Sequence, residues 1–470
     1  MSKLKINGKM LLNIGFQQGP VISVAITVIE QHFKHHSQEE AEELLKKILA
    51  DPAAYVDDAI VGKIAEKLIK AAPAKEIALR ETPVAYAIFG SNYIEEGALR
   101  QMNNAVRLPV AVAGSLMPDA HQGYGLPIGG VLAADNAVIP YGVGVDIGCR
   151  MCLSILDLPV HSLTAHEGQY KRELMDFTVF GAGGEWKKRE ADPVLERSEF
   201  NDIPFLRHLF DKASRQLGTS GSGNHFVEWG IVEITAAQNE WNLAPGNYVA
   251  LLSHSGSRGL GAQIAGHYTQ VAKELCPLPQ EAKHLAYLDL DTEAGQEYWL
   301  AMNLAGDYAS ACHHHIHKRL IKAMGATMLA RVENHHNFAW KEIHEGKEVI
   351  VHRKGATPAG KGMLGIIPGS MTAPGFIVRG KGEVSSLQSA SHGAGRLMSR
   401  TKAIQSITNS ELTKVLQEHG VTLIGGGLDE APAAYKDINT VMAAQTDLVE
   451  VVGRFLPKMV RMADGGPRED

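Results

Sequence analysis

At 470 residues, with 45% hydrophobic and 21% charged residues, the chain is long enough to bury a large core and has the balance of a folded protein. A formal net charge of −6 excludes a bulk cationic field, so any nucleic acid must be held at a local basic patch. Four cysteines, at 149, 152, 276 and 312, are too few for a disulfide scaffold in a chain of this length.

In chain order, the N-terminal Met-Ser-Lys-Leu-Lys has no long apolar core behind it and does not read as a signal peptide. The apolar run Val21–Ile29 is too short to span a membrane, and the chain reads as cytoplasmic. Residues 38–72 have helical composition and period, with Ser37 as N-cap, acids in the first turn and Pro52 dividing two helices. From about residue 105 the texture changes to short apolar runs bounded by glycine, such as Ile-Gly-Gly-Val-Leu-Ala and Met-Cys-Leu-Ser-Ile-Leu, which predict buried strands. A long helix is predicted over 292–325, strands and turns over 347–380, and a helix over 402–419. No repeat and no Pro- or Ser-rich linker divides the chain. Two regions are expected: 1–104, a helical pair packed on the core, and 105–470, one catalytic domain.

The chemistry concentrates in five short segments rich in glycine or small polar residues. Tyr141-Gly-Val-Gly-Val-Asp-Ile-Gly-Cys-Arg150 sets a hard oxygen donor, Asp146, three residues from a soft sulfur donor, Cys149. Glycines at 142, 144 and 148 let that backbone turn tightly. Gly-Ser-Gly-Asn-His225-Phe, Ser-His254-Ser-Gly-Ser-Arg-Gly, Glu-Asn-His335-His336-Asn and Ser-His392-Gly-Ala-Gly-Arg each place histidine among small residues. A thiolate has lone pairs enough to bridge two divalent ions. Asp146 with one histidine would complete one ion and two further histidines the other. Such mixed ligation permits Zn or Mn. Paired metals suit phosphoryl chemistry, where they clamp attacking and leaving oxygens. His392 has no acid or cysteine beside it in sequence, but it has Gly393, Gly395 and Arg396, a pattern suited to a nucleophile toward a nucleoside triphosphate.

Other features have plainer readings. Cys149-Arg-Met-Cys152 lacks the second pair of a zinc ribbon, so Cys152 reads as a buried bystander. The i, i+4 pair in His313-His-His-Ile-His317 has no acid like that of a zincin helix, and the cluster is expected on a polar face. Lys187-Lys-Arg189 reads as a solvated loop, and His121 as a residue behind the site or facing substrate.

Seven pieces in order resemble the RtcB family of RNA ligases. They are Met-Pro-Asp-Ala-His121-Gln-Gly-Tyr-Gly-Leu-Pro-Ile-Gly-Gly, Val-Gly-Val-Asp-Ile-Gly-Cys149, Gly-Asn-His225-Phe-Val-Glu, His254-Ser-Gly-Ser-Arg-Gly, His336-Asn337, Ile-Pro-Gly-Ser370-Met and Ser-His392-Gly-Ala-Gly-Arg. Leu-Asp-Glu-Ala-Pro-Ala-Ala-Tyr-Lys-Asp-Ile extends the likeness towards residue 440. The resemblance implies an α+β fold in which mixed β-sheets form a central core surrounded by helices, with an N-terminal helical extension. It implies a GTP- and Mn-dependent ligase that joins RNA 3′-phosphate or 2′,3′-cyclic phosphate ends to 5′-hydroxyl ends, in RNA repair or tRNA splicing. Asp146, Cys149 and His225 would hold one Mn ion, and Cys149, His254 and His336 the other. His392 would carry GMP. Asn224, Glu228, Ser370 and Gly395 match nucleotide-holding positions, and Arg258 and Arg396 match phosphate- or RNA-holding ones. The expected partners are RNA and GTP, with no membrane and no specified accessory protein.

The chain departs from the family pattern in three places. Family members generally end in Lys-Gly, whereas here Arg461 is the nearest cation for the guanine edge; Cys312-His313 stands where Asn-Arg is frequent, and Arg150 follows the cysteine in place of glycine. A dimetal phosphoesterase using water as nucleophile, or an RNA-binding protein without ligase activity, are the competing expectations. The first has no chemical need for His392, and the second has none for the metal-ligand set.

Overall fold

The structure, a computed structural model, describes residues 6–16, 20–70, 76–235, 237 and 239–464. Residues 1–5, 71–72 and 465–470 of the segments read above lie outside the described residues. The chain divides into two compact units, Met1–Glu76 and Ile77–Asp470.

The first unit is helical. Gly8–Asn13 and Pro20–His32 precede the expected pair, Gln38–Ala50 and Gly62–Lys70. Ser37 caps its helix through a reciprocal capping box with Glu40. Pro52 opens a separate short turn, Pro52–Tyr55, because its ring cannot continue the preceding helix. Leu11, Ala25, Ile29, Leu45, Ile48 and Ile64 close a core of their own, so the apolar run Val21–Ile29 is the inner face of a packed helix.

The second unit is α+β. A five-stranded sheet runs in the order Tyr86–Ile88, Ala111–His121, Ile128–Ala134, Lys347–Lys354, Phe338–His344. A larger sheet runs Leu364–Ile367, Gly375–Gly380, Val449–Met462, Phe226–Ile234, Gly246–Ser255, Arg150–Leu156, Met328–His335, and Thr422–Ile424 adds parallel to Val449–Met462. Arg150–Leu156 is buried at every position, as a central strand covered on both faces must be. The helix Glu293–Ala323, capped by Thr292, packs on this strand and on Gly246–Ser255.

Two expectations shift. The strands expected from about residue 105 begin later: the helix Glu96–Ala105 ends there, and pairing begins at Ala111, beyond Pro109, which has no N–H to give a ladder. The helical stretch 402–419 is two helices, Arg400–Ser406 and Asn409–His419, because Thr408 opens a new capping box with Glu411.

Candidate functional site

Four neighbouring antiparallel strands of the larger sheet end together. The registers set Phe226 opposite His254, His254 opposite Met151, and Arg150 opposite His335. The backbone N–H of His336 donates to the Cys149 carbonyl at 2.8 Å. Sheet pairing therefore gathers residues 146, 149, 225, 254 and 336 at one rim, on the wall of a cavity of about 790 Å³.

The polar atoms converge. Cys149 Sγ lies 3.2 Å from His254 Nε2 and 3.5 Å from His225 Nε2. His254 Nε2 lies 3.1 Å from His336 Nε2, and His225 Nε2 lies 3.0 Å from Asp146 Oδ2. The Asn224 carbonyl, 3.0 Å from His254 Nδ1, must receive that nitrogen's proton, which leaves a lone pair on Nε2 aimed at the sulfur and at His336. Burial pushes His254 down to about 3 and His336 well below the usual imidazole range, so both are neutral donors. Burial would raise Asp146, but the hydrogen bond and charge of His225, together with Cys149 and His254, outweigh it and hold the carboxyl below the usual range. A carboxylate, a thiol and three imidazoles that converge in this way form a donor set that fits divalent ions of Mn or Zn type. His335 instead packs edge-on against Phe338, so of the two adjacent histidines it is His336 that faces the cluster. Asn337 secures the turn, donating to the Asp146 carbonyl and accepting from Gly355 N–H.

His392 follows the strand Ser389–Ser391, with its ring centroid 4.9 Å from that of His336. Its Nδ1 lies 2.7 Å from Asp119 Oδ2, which also accepts the backbone N–H groups of His392 and Gly393. Asp119 is fully buried; burial would raise it, but the His392 hydrogen bond and charge hold it low and ionised. An ionised acceptor fixes the proton on Nδ1 and leaves Nε2 as the free nucleophilic nitrogen. Gly395, at φ +73°, permits this close packing, since a Cβ there would stand 2.2 Å from the Asp119 carbonyl oxygen. Asp119 was not singled out in the sequence; its only signal is an acid inside Met-Pro-Asp-Ala-His.

The sequence profile described as "tRNA-splicing ligase RtcB" matches residues 101–203 and 202–463. The chain belongs to the RtcB family. It is 34% identical over 395 residues to the RNA-splicing ligase RtcB1 of Escherichia coli, covering 76% of this chain and 92% of that one. It is 31% identical over 421 residues to the tRNA-splicing ligase RtcB of Methanococcus maripaludis, covering 74% and 87%. A relative described in the same words from Nanoarchaeum equitans is 31% identical over 439 residues, covering 78% and 91%.

The remaining RtcB-pattern residues divide. Asn224, Glu228, Ser370 and Gly395 line the cavity. Glu228 has burial alone acting on it, which pushes its carboxyl well above the usual range. Arg258, at φ +57°, is buried and donates to Thr219 Oγ1 and the Gly181 carbonyl at the cavity wall. Arg396 also lines it, donating to the Asp429 carbonyl and Glu430 while its guanidinium lies over the Tyr435 ring. Arg461 is not brought to the cavity. Its neighbours Val460 and Met462 face it, and strand alternation turns Arg461 to the other side, where it donates to the Leu174 carbonyl and lies over Phe180.

Lys354, Tyr435 and Arg400 also line the cavity and were not singled out. Lys354 donates to the carbonyls of Tyr124 and Tyr141, and burial lowers its ammonium to about 7. Its signal was a lysine closing a strand before glycine. His121 lies on the cavity wall behind His392, its Nδ1 3.1 Å from the Asp119 carbonyl oxygen, and burial lowers it to about 4. Lys187, Lys188 and Arg189 are exposed, as expected. Arg150, in place of the family's glycine, is paired with Glu333 at 3.2 Å and donates to the Gly306 carbonyl.

The polar-face expectation for 313–317 is corrected. His313 and His317 are fully buried beside Cys152, because this face of the long helix is the one packed on the sheet. Their hydrogen bonds form an ordered neutral chain. The Ser255 carbonyl takes the His313 Nε2 proton at 3.0 Å, so His313 Nδ1 accepts from Ser253 Oγ at 2.6 Å. Ser253 Oγ then accepts from His317 Nε2 at 2.8 Å, and His317 Nδ1 accepts from Ser154 Oγ at 2.8 Å. No lone pair is left over in either ring.

Proposed function

We propose that this chain is a GTP- and Mn-dependent RNA ligase that joins 3′-phosphate or 2′,3′-cyclic phosphate ends to 5′-hydroxyl ends through GMP carried on His392. The observation that carries this reading is the Asp119–His392 pair beside the thiol–imidazole cluster. The Nε2 lone pair of His392 attacks the α-phosphorus of GTP. An N–P bond forms, the P–O bond to pyrophosphate breaks, and the proton stays on Nδ1. Asp119 stabilises the positive charge that the ring acquires. GMP then passes to the RNA 3′-phosphate, His392 Nε2 leaving with the electron pair of the N–P bond. Attack of the RNA 5′-hydroxyl on the activated phosphate breaks the P–O bond to GMP, makes the phosphodiester and releases the hydroxyl proton to water; a 2′,3′-cyclic end is first opened by water to the 3′-phosphate.

Asp146, Cys149 and His225 would hold one ion, and Cys149, His254 and His336 the other. Such ions supply Lewis-acid polarisation of phosphoryl oxygens. Asn224, Glu228 and Ser370 are assigned to the nucleotide, and Arg258 and Arg396 to phosphates near the reacting ends. Water-only phosphoester hydrolysis has no use for a tautomer-locked histidine 4.9 Å from the cluster.

The test is incubation with α-labelled GTP and Mn, followed by mass mapping. A GMP phosphoramidate on His392 is expected. An adduct on another residue, or full labelling of His392→Ala, overturns the reading.

A further inference from the structure

On the cavity wall, Tyr124 has 65% of its surface exposed, yet it is not a mobile surface ring. Its backbone is clamped from two sides. The preceding Gly123 exchanges hydrogen bonds with Gln101, its carbonyl accepting at 2.6 Å and its N–H donating at 3.0 Å. The Tyr124 carbonyl accepts from the Lys354 ammonium at 2.5 Å. The next residue, Gly125, sits at φ +70° with its α-carbon so close to the His284 backbone that a Cβ would stand 2.8 Å from that carbonyl oxygen. The ring meets Tyr141 and His284 edge-on, with centroids 6.3 and 5.9 Å away, and the Lys354 ammonium lies 4.8 Å from the centre of the Tyr141 ring. Lys273 and Lys283 act electrostatically on His284, which places ammonium groups beside the three-ring group on a chain of net charge −6.

A held aromatic ring, open to a cavity and bordered by ammonium groups, is what a single-stranded nucleic acid grips. Every base has a π-face, and the neighbouring cations answer its phosphates. We propose that Tyr124 is a nucleobase-stacking subsite that holds one unpaired base of the RNA end entering the cavity, backed by Tyr141 and His284. The inference rests on the ligase reading for its choice of ligand. It adds a point of grip that takes any base, because stacking reads no hydrogen-bonding edge.

The test uses the full chain and a short single-stranded oligoribonucleotide with a 3′-phosphate, followed by fluorescence anisotropy. Tyr124→Ala is expected to weaken binding by roughly 5- to 150-fold, the range of one base–aromatic stack. Tyr124→Trp and Tyr124→Phe keep the affinity, and the salt slope stays the same because no phosphate contact is lost. In a series of oligonucleotides each lacking one base, the wild type loses the same factor at one position, and Tyr124→Ala loses nothing further at that position. Equal binding by wild type and Tyr124→Ala overturns the inference, as does an abasic loss that adds fully to the alanine loss at every position. Loss of GMP labelling with RNA affinity intact would place the ring on the nucleotide and also overturn it. A wild type that takes up no GMP but still shows the stacking pattern would remove the ligase reading and leave the subsite standing.

Discussion

Two buried clusters of cysteine and histidine border the strands Arg150–Leu156 and Gly246–Ser255, and they differ in one respect. Cys149, His225 and His254 form one, and Cys152, His313 and His317 the other. Ser253 and His254 are consecutive in a strand and so face opposite sides of the sheet. In the second cluster every ring nitrogen has a partner that agrees with a single neutral tautomer. In the first, Asn224 locks the proton of His254 on the far side, and its remaining lone pair faces a sulfur and another imidazole. Residue type is the same in both. What separates them is whether the hydrogen bonding is complete.

The largest contrast lies between the two cysteines. Cys149→Ala should lose both bound divalent ions together and with them GMP labelling, because a shared ligand serves both. Cys152→Ala should retain two ions per chain. Metal analysis by mass spectrometry decides; one ion kept at full occupancy in Cys149→Ala would rule out the bridge.

Asp119→Asn tests whether a locked tautomer also matters at His392. An amide can donate to Nδ1 and so push the proton to Nε2. The single-turnover rate of GMP transfer onto His392 is expected to fall roughly 10²- to 10⁴-fold, the usual worth of a positioned acid–base partner, with metal content unchanged. A rate within a few-fold of wild type would remove Asp119 from the mechanism.

Ser253→Ala breaks the satisfied chain at its centre. It strands His313 Nδ1 and the His317 Nε2 proton, each in a fully buried ring. A loss of about 1–3 kcal/mol per stranded group is expected in denaturant unfolding, with both ions still bound. Undiminished stability would mean that the serine bridges nothing of consequence.

The buried neutral rings also carry a pH signature. Burial lowers His313 to about 3 and His317 well below the ordinary value. Between the unfolded value of about 6.5 and those folded values the unfolded chain binds more protons. Stability is therefore full above pH 6.5 and falls as pH drops through this window, by up to about 1.4 kcal/mol per pH unit for each ring. In metal-free protein His317→Gln should make the fall shallower by at most one proton. An unchanged slope would show that His317 is already protonated in the fold.

The smallest effect is expected at Arg461. With Val460 and Met462 on the cavity side and Arg461 on the other, Arg461→Ala should leave the preference for GTP over ATP where it is in a competition assay. If the arginine did read the guanine edge, the preference would relax by roughly 5- to 150-fold.

Much of the site was legible because the donors sit in short segments of glycine and small polar residues. Asp146 with Cys149, His225, His254, His336 and His392 were all named from local pattern, and the structure brings them to one cavity. Local pattern also sufficed for the Ser37 cap and for the long helix at 293–323. What it missed were relations between segments. The Asp119–His392 pair spans 273 positions, and no short-range signal links an acid in one strand to a histidine after another. The buried 313–317 face looked solvent-like because histidine is polar; only the serines of the facing strands make that burial tolerable.

By itself, then, the sequence singled out the donor side chains that meet at the cavity and many of the elements that hold them, since both follow from neighbours a few residues apart. The tertiary structure decided which nitrogen of each histidine is free, which cluster is already satisfied, and that Arg461 faces away from the cavity. Those outcomes depend on strand register and on the alternation of strand faces, and a single-residue shift in either would reverse them.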